Sequence, residues 1–328
     1  MSACRLTCVL VGAWMVCGAA ANAAAQTTRH VVLVQGVSGE PQFAEQHRGW
    51  LDEVVAALRD GFKIDAHHLT VLAERPGEGE RRATAEEVRA TFARIAKEAT
   101  HSDVVFVMLI GHGTGDGDQA KFNLIGPDLT VAEWNDVLNP IAGRVVFVNT
   151  ASGSFPFVAG LTGDRRIIIT AAAQPAQRFA TVFAGSFARA LGAPEADLDK
   201  NGRISIWETF TFASRLQKEY FDQKGNLPTE RALIEDNGDG KGRDAATATG
   251  DDGMLATMTY LDAVVEARPT DPALQMLLQR QEIMTQQVDD LRRKKASMAS
   301  AEYEAAWEKL MVELATLGAE IRKKGGGG

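Results

Sequence analysis

Cysteine is nearly absent from this chain, and the three present, Cys4, Cys8 and Cys17, all fall near the amino terminus. Around them, residues 1–25 carry one early cation at Arg5, an apolar run from Leu6 to Val16 and alanine-rich small-residue triplets, the layout of a cleaved secretory signal peptide. The processed chain would hold no thiol, which excludes disulfides and thiolate chemistry together. An exported protein of this kind, periplasmic or extracellular, has to be held by its core or by metal. Bulky Val16 before Cys17 argues against a lipid anchor there. Long apolar runs are missing too: a membrane helix wants roughly 18 or more consecutive apolar residues, so no stable membrane span is expected. Cations are in deficit. Lys and Arg total 35 against 43 Asp and Glu, a formal net charge of -8, and without a clustered basic surface nucleic acid is not an expected partner.

What the chain does have is enough apolar material, 45% of 328 residues, to bury a full-sized core. Five continuous apolar runs, at His30, Leu69, Asp103, Arg144 and Arg166, alternate with helical spacing at Trp50 to Leu58 and Val88 to Ala96. Runs that do not alternate in polarity mean strands buried on both faces, so the fold class is α/β: a mostly parallel sheet flanked by helices. After Thr181 the pattern turns to helices broken by acidic, Gly-rich loops. Pro269 and Pro272 mark a boundary that separates a domain over 26–267 from a segment over 268–324. There, Leu274, Leu277, Gln281, Met284, Val288 and Leu291 follow a seven-residue repeat, as do Tyr303, Trp307, Leu310, Leu314, Leu317 and Ile321. The expectation is an antiparallel, coiled-coil-like helical hairpin that packs on itself or on the core, or mediates self-association.

Ligands of open parallel sheets collect at the carboxyl ends of the strands, and two such ends are loaded with chemistry. One is LIGHGTGDGD, with His112 between glycines; the other is VNTASGS, from Val148 to Ser154. Neither matches a phosphate-cradling loop, which needs a Lys after the second glycine, nor a dinucleotide fingerprint followed by a helix. The remaining histidines read as ordinary: His67 and His68 precede a strand, and His30, His47 and His101 stand at element edges without metal-ligand spacing.

Taken in order, HVVLVQGVSG, GHG, VNTASGS and ITAAAQPAQ resemble the legumain family of caspase-fold cysteine peptidases, over roughly His30 to Leu261. The segments LDKNGRISIWETFTFA and LPTERALIEDNGDGKG resemble its bacterial exported members. The resemblance implies that His112 is the catalytic acid or base and that Gly113 offers its backbone N–H to an oxyanion. It also places Thr150 on the nucleophilic cysteine, by alignment of Ser152, Gly153 and Ser154. Threonine is a hindered alcohol of high pKa and needs an adjacent base. Two readings follow: a pseudopeptidase that acts by binding peptide or protein partners, or a hydrolase that uses Thr150 or Ser152 with His112. The family's arginine near the first helix has no clean counterpart, since Ala44 or Glu45 falls near it and Arg48 is late.

The most complete local motif is DLDKNGRISIWE, which matches the EF-hand spacing D-x-[DN]-x-[DN]-G-x₅-E. It assigns a calcium ion to Asp197, Asp199 and Asn201 through side-chain oxygens, Arg203 through its carbonyl, Ser205 directly or through water, and Glu208 as bidentate closer. Gly202 supplies the turn and Ile204 the small strand contact. Because Gly192 and Pro194 break the entering helix, the expectation is a calcium loop followed by one helix. EDNGDGKG, from Glu235, repeats the opening phase but has Ala246 at the closing position, and reads as an Asx-Gly turn or a second metal site.

Overall fold

The computed structural model describes residues 27–175, 177, 179–247, 252–262 and 271, scattered positions between 273 and 295, and 298–325. The expected leader lies outside them. In chain order the first half is β1 (Arg29–Gln35), α1 (Pro41–Ala56), β2 (Leu69–Ala73), β3 (Arg81–Arg82), α2 (Ala85–Glu98), β4 (Val104–Ile110), β5 (Gly113–Thr114), β6 (Lys121–Phe122), β7 (Leu129–Thr130) and α3 (Val131–Leu138). Then come β8 (Arg144–Asn149), α4 (Phe157–Leu161), β9 (Arg166–Thr170), α5 (Phe183–Gly192), α6 (Ile206–Lys224), β10 (Leu233–Glu235) and α7 (Met254–Thr257), and a terminal helix spans Ser300–Gly325.

The five apolar runs become β1, β2, β4, β8 and β9, all mutually parallel, in a seven-stranded sheet of order β10-β9-β8-β4-β1-β2-β3. Successive side chains of a strand face opposite ways, and here both faces are covered. Val31, Leu33, Phe106, Met108, Val146 and Ile169 pack with α1, α5 and α6; Val32, Val34, Val107, Phe147 and Ile168 pack with α2, α3 and α4. That is why the runs lack polar alternation. The second face centres on the fully buried Trp134, whose ring meets Phe92, Phe122 and Phe147 edge-on. Helix starts are chemically specified: Pro41 opens α1, Thr84 caps α2, and reciprocal Ser/Thr–Glu boxes, Thr130–Glu133 and Ser205–Glu208, open α3 and α6.

Three features depart from the sequence reading. The first helix begins at Pro41, nine residues before Trp50, because its first turns are largely exposed and carry no apolar spacing. A small antiparallel sheet, β5-β6-β7, fills the excursion between β4 and α3. The carboxyl-terminal part contributes a strand of its own, β10, antiparallel to β9. On its outer side Ile234 exchanges both backbone hydrogen bonds with Arg243, at 2.8 Å each.

Of the expected hairpin, many positions between 272 and 297 lie outside the described residues. Asp271 caps the following turn through the N–H of Ala273, and its carboxylate lies 3.4 Å from the ammonium of Lys324 near the chain end. Lys295 stands over the ring of Tyr303. Among the described residues no helix is long and apolar enough to cross a membrane.

Candidate functional site

Parallel strands end together, so β1, β4 and β8 deliver three loops to one end of the sheet: Gly36 to Ser38, Gly111 to Gly113 and Thr150 to Ser154. Backbone bonds knit them: Gly36 donates to Ile110, Val37 to Asn123, and Thr150 to Leu109. His112 Nε2 lies 3.1 Å from the Ser38 carbonyl. A carbonyl only accepts, so this contact puts the imidazole proton on Nε2 and leaves the Nδ1 lone pair free in the neutral ring. Ser38 is itself fixed, its hydroxyl donating to Glu74 at 2.8 Å.

The side of the histidine is walled by α1. Phe43 meets the His112 ring edge-on at 4.9 Å and His47 lies 5.0 Å from it, with Trp50 behind. His47 thus sits inside a helix, buried, and not at an element edge. Burial, helped by the neighbouring His112, lowers its pKa to about 4, so it stays neutral at physiological pH. Arg48, one residue on, is occupied elsewhere: it pairs with Glu80 and Asp52, each at 2.7 Å.

None of the three hydroxyls of the VNTASGS loop is bonded to His112. Thr150 is 1% exposed and donates its hydroxyl proton to the Leu109 carbonyl at 2.6 Å. A carbonyl cannot take that proton away, so the bond holds the oxygen without activating it. Ser152, also buried, directs its hydroxyl at the Gly113 carbonyl, 3.4 Å away. Ser154 is wholly buried and accepts from the N–H of Ala172, tying this loop to the end of β9. Gly113 is needed for closeness: a Cβ there would lie 2.3 Å from the Ser152 carbonyl oxygen and 3.0 Å from that of Lys121. His112, Gly113, Thr150 and Ser152 therefore share one loop cluster, without a nucleophile–base hydrogen bond.

Gln177 and Thr181, beyond the end of β9, are bonded to this cluster. Gly153 donates to the Gln177 carbonyl at 3.4 Å, and the Thr181 hydroxyl donates to the Thr150 carbonyl. Between them Phe179 is 70% exposed. Directly behind, at the start of α5, the buried Glu230 accepts from the N–H of Val182 and from Gln217. Burial raises its pKa to about 7, against the lowering effect of these donors.

The DLDKNGRISIWE loop forms a second, separate cluster. Asp197, Asp199 and Glu208 each offer an oxygen, and these lie within 4.8 Å of one another, the one carboxylate group so gathered among the described residues. Calcium–oxygen distances of about 2.3–2.6 Å permit that span. Gly202 turns the chain at φ 82°, and Asp197 accepts from the N–H groups of Asn201 and Gly202. Glu208 accepts from Leu198 and Asp199 on one oxygen and from the Ser205 N–H and hydroxyl on the other. The oxygen set fits a hard cation, but binding one through both oxygens of Glu208 has to displace some of these donors. Ser205 is the helix cap, its hydroxyl committed to Glu208. The small strand contact falls on Ser205, opposite Tyr260, and not on Ile204. Arg203 makes a bidentate pair with Asp262, both bonds 2.8 Å, and lies over the Tyr260 ring.

EDNGDGKG is an Asx-type turn: Asn237 accepts from Asp239, and Asp239 from Lys241. Glu235 and Asp236 are buried beside Asp252, which accepts the N–H of Asp236. Burial first, and the negative charges around it second, raise Asp252 to about 7.

No family model and no curated protein matches this sequence. Among solved structures, a Geobacter sulfurreducens protein superposes at a TM-score of 0.41 with 13% identity, covering 63% of this chain and 92% of its own. The Drosophila initiator caspase Dronc superposes at 0.39 with 11% identity, covering 66% of this chain and 81% of its own. With both scores under 0.5, the assignment of a mixed α/β fold with a mostly parallel, helix-flanked sheet rests on the strand order itself.

Proposed function

We propose that this chain is an exported, legumain-like pseudopeptidase of caspase-like fold, which uses the loop cluster around His112 to bind peptide or protein segments and is stiffened by calcium at the 197–208 loop. One observation carries the loss of catalysis: the Thr150 hydroxyl, at the position expected for the nucleophile, is buried and donates to Leu109. The half-buried Phe43 and the exposed Phe179 supply apolar contacts for an extended chain. Calcium is supported by the convergence of three carboxylates around a glycine turn. Self-association through the terminal helices is a further part of the proposal, supported by their seven-residue repeats.

The hydrolase reading retains one point in its favour: with its proton on Nε2, a neutral His112 keeps a lone pair on Nδ1 in the same loop cluster as Ser152 and Thr150. Turnover of peptide and ester libraries by the purified mature protein separates the two. The expected result is background hydrolysis, unchanged in Thr150→Ala. That substitution is expected to lower stability by only about 1 kcal/mol, since the Thr150 N–H still serves the Leu109 carbonyl. Hydrolysis by the wild type that disappears in both Thr150→Ala and His112→Ala would overturn the pseudopeptidase reading.

A further inference from the structure

At the opposite end of the sheet, where β8 and β9 begin, lies a cleft of about 240 Å3. Its floor is Arg166, the first residue of β9, 7% exposed. The guanidinium donates to the side-chain oxygens of Asn135 and Asn139 at 2.7 and 2.8 Å and to the Leu161 carbonyl at 2.8 Å. All three partners are neutral. No carboxylate lies within ion-pair reach of it among the described residues, and burial lowers the pKa of Arg166. A buried cation without a counter-charge is costly. The carbonyl ends of α3 and α4 offset part of that cost but bring no net negative charge.

The donor count points the same way. Three of the five guanidinium N–H groups are used, which leaves the Nε–H and one Nη2–H without a protein acceptor among the described residues. Because Arg166 can only donate, Asn135 and Asn139 must both turn their oxygens toward it. Their amide NH₂ groups are therefore the donors left for the cleft, which both residues line. Gly163 leaves the flank of Arg166 open: a Cβ there would lie 3.6 Å from Nε. The turn into this arginine passes through Arg165 at φ 61°, a conformation uncommon outside glycine. Asp164 lines the mouth and is exposed.

We propose that this cleft is a binding site for a small oxyanion, a carboxylate or a phosphate group, which takes the unused donors of Arg166, Asn135 and Asn139 and supplies the missing counter-charge. At this volume it takes a group or a small molecule, not a drug-sized ligand. The site shares no residue with the His112 cluster or the calcium loop.

Inorganic phosphate and acetate, each titrated by calorimetry and in thermal melts against chloride at equal ionic strength, distinguish the two chemistries. The expected result is measurable heat with at least one of them, and a melting temperature raised by about 5 °C near saturation. Asn135→Asp keeps an oxygen for Arg166, replaces the free amide with negative charge and fills the counter-ion role. This variant is expected to melt no lower than wild type and to lose the anion response. Asn139→Ala, at a more exposed position, is expected to weaken it at least threefold. Wild type that responds to neither anion beyond chloride, or an Asn135→Asp protein that responds as wild type does, overturns the proposal.

Discussion

Melted in excess calcium, the protein is expected to unfold roughly 5–10 °C higher than in chelator, the shift that corresponds to about 2.7 kcal/mol at a hundred times Kd for a chain of this size. The Kd itself is expected near the 10⁻⁴ to 10⁻³ M characteristic of extracellular modules, order of magnitude. Weak affinity follows from the loop's own chemistry, since four donors already occupy the Glu208 carboxylate and the ion has to displace some of them. Magnesium is expected to do much less, being smaller and slow to shed its water. Glu208→Gln should act twice. It removes the charge that closes the site, and its amide nitrogen cannot accept from Ser205 or from the loop, so the melt in chelator also falls, by about 1 kcal/mol. Superimposable melts in calcium and chelator, with no calorimetric heat, would reduce Asp197 to Glu208 to an acidic turn.

The second large effect is a dependence on pH that runs opposite to ordinary acid denaturation. Glu230 has a folded-state pKa raised to about 7 by burial, against 4.5 for an unperturbed carboxyl. Below about pH 4.5 both states hold the proton and the favourable contribution is complete. As pH rises toward 7 the unfolded chain ionises freely while the folded one resists, and the contribution is lost, by about 3 kcal/mol at most. Wild type and Glu230→Gln are therefore expected to have similar stability near pH 5, and the variant to be the more stable at pH 8. Asp252, also raised to about 7, leaves a residual slope of the same sign in the variant. Equal differences between the two proteins at pH 5 and pH 8 would mean that Glu230 is ionised throughout. Because Glu230 caps the start of α5 immediately after Thr181, which holds Thr150, chemical-shift changes on titration should concentrate at Val182, Thr181 and Thr150.

The parts of this fold legible in the sequence are those where one physical demand acts on many consecutive residues. Burial on both faces acts on all of Val104 to Ile110, and the run announces the strand. The β5-β6-β7 sheet was not legible, because two-residue strands such as Gly113–Thr114 leave no periodic trace. His47 was misplaced for a similar reason: the turns of α1 before it are largely exposed, so nothing marked a helix already under way. The loop cluster itself was legible from its glycines, but the direction of a hydroxyl was not. Whether Thr150 faces His112 or Leu109 depends on one rotamer, set by a carbonyl forty-one residues away. Arg166 carries no such signal in the sequence, because an arginine that opens an apolar run is ordinarily its solvated flank. Only the placement of Asn135 and Asn139 turns it into a buried charge.

The edges of the central sheet bear on how copies of this chain can associate. Continuous-sheet assembly requires a row of free N–H and C=O groups along an outermost strand. One margin ends in β3, a strand of only two residues, both arginines, of which Arg81 is already paired with Glu87 at 3.0 Å. The other ends in β10, whose central residue has already given both of its backbone groups to Arg243. Among the described residues, growth by strand addition meets a strand too short to template a partner at one side and a bond within the chain at the other. An oligomer of this protein is therefore expected to form through helices or loops, with the central sheet remaining that of a single copy.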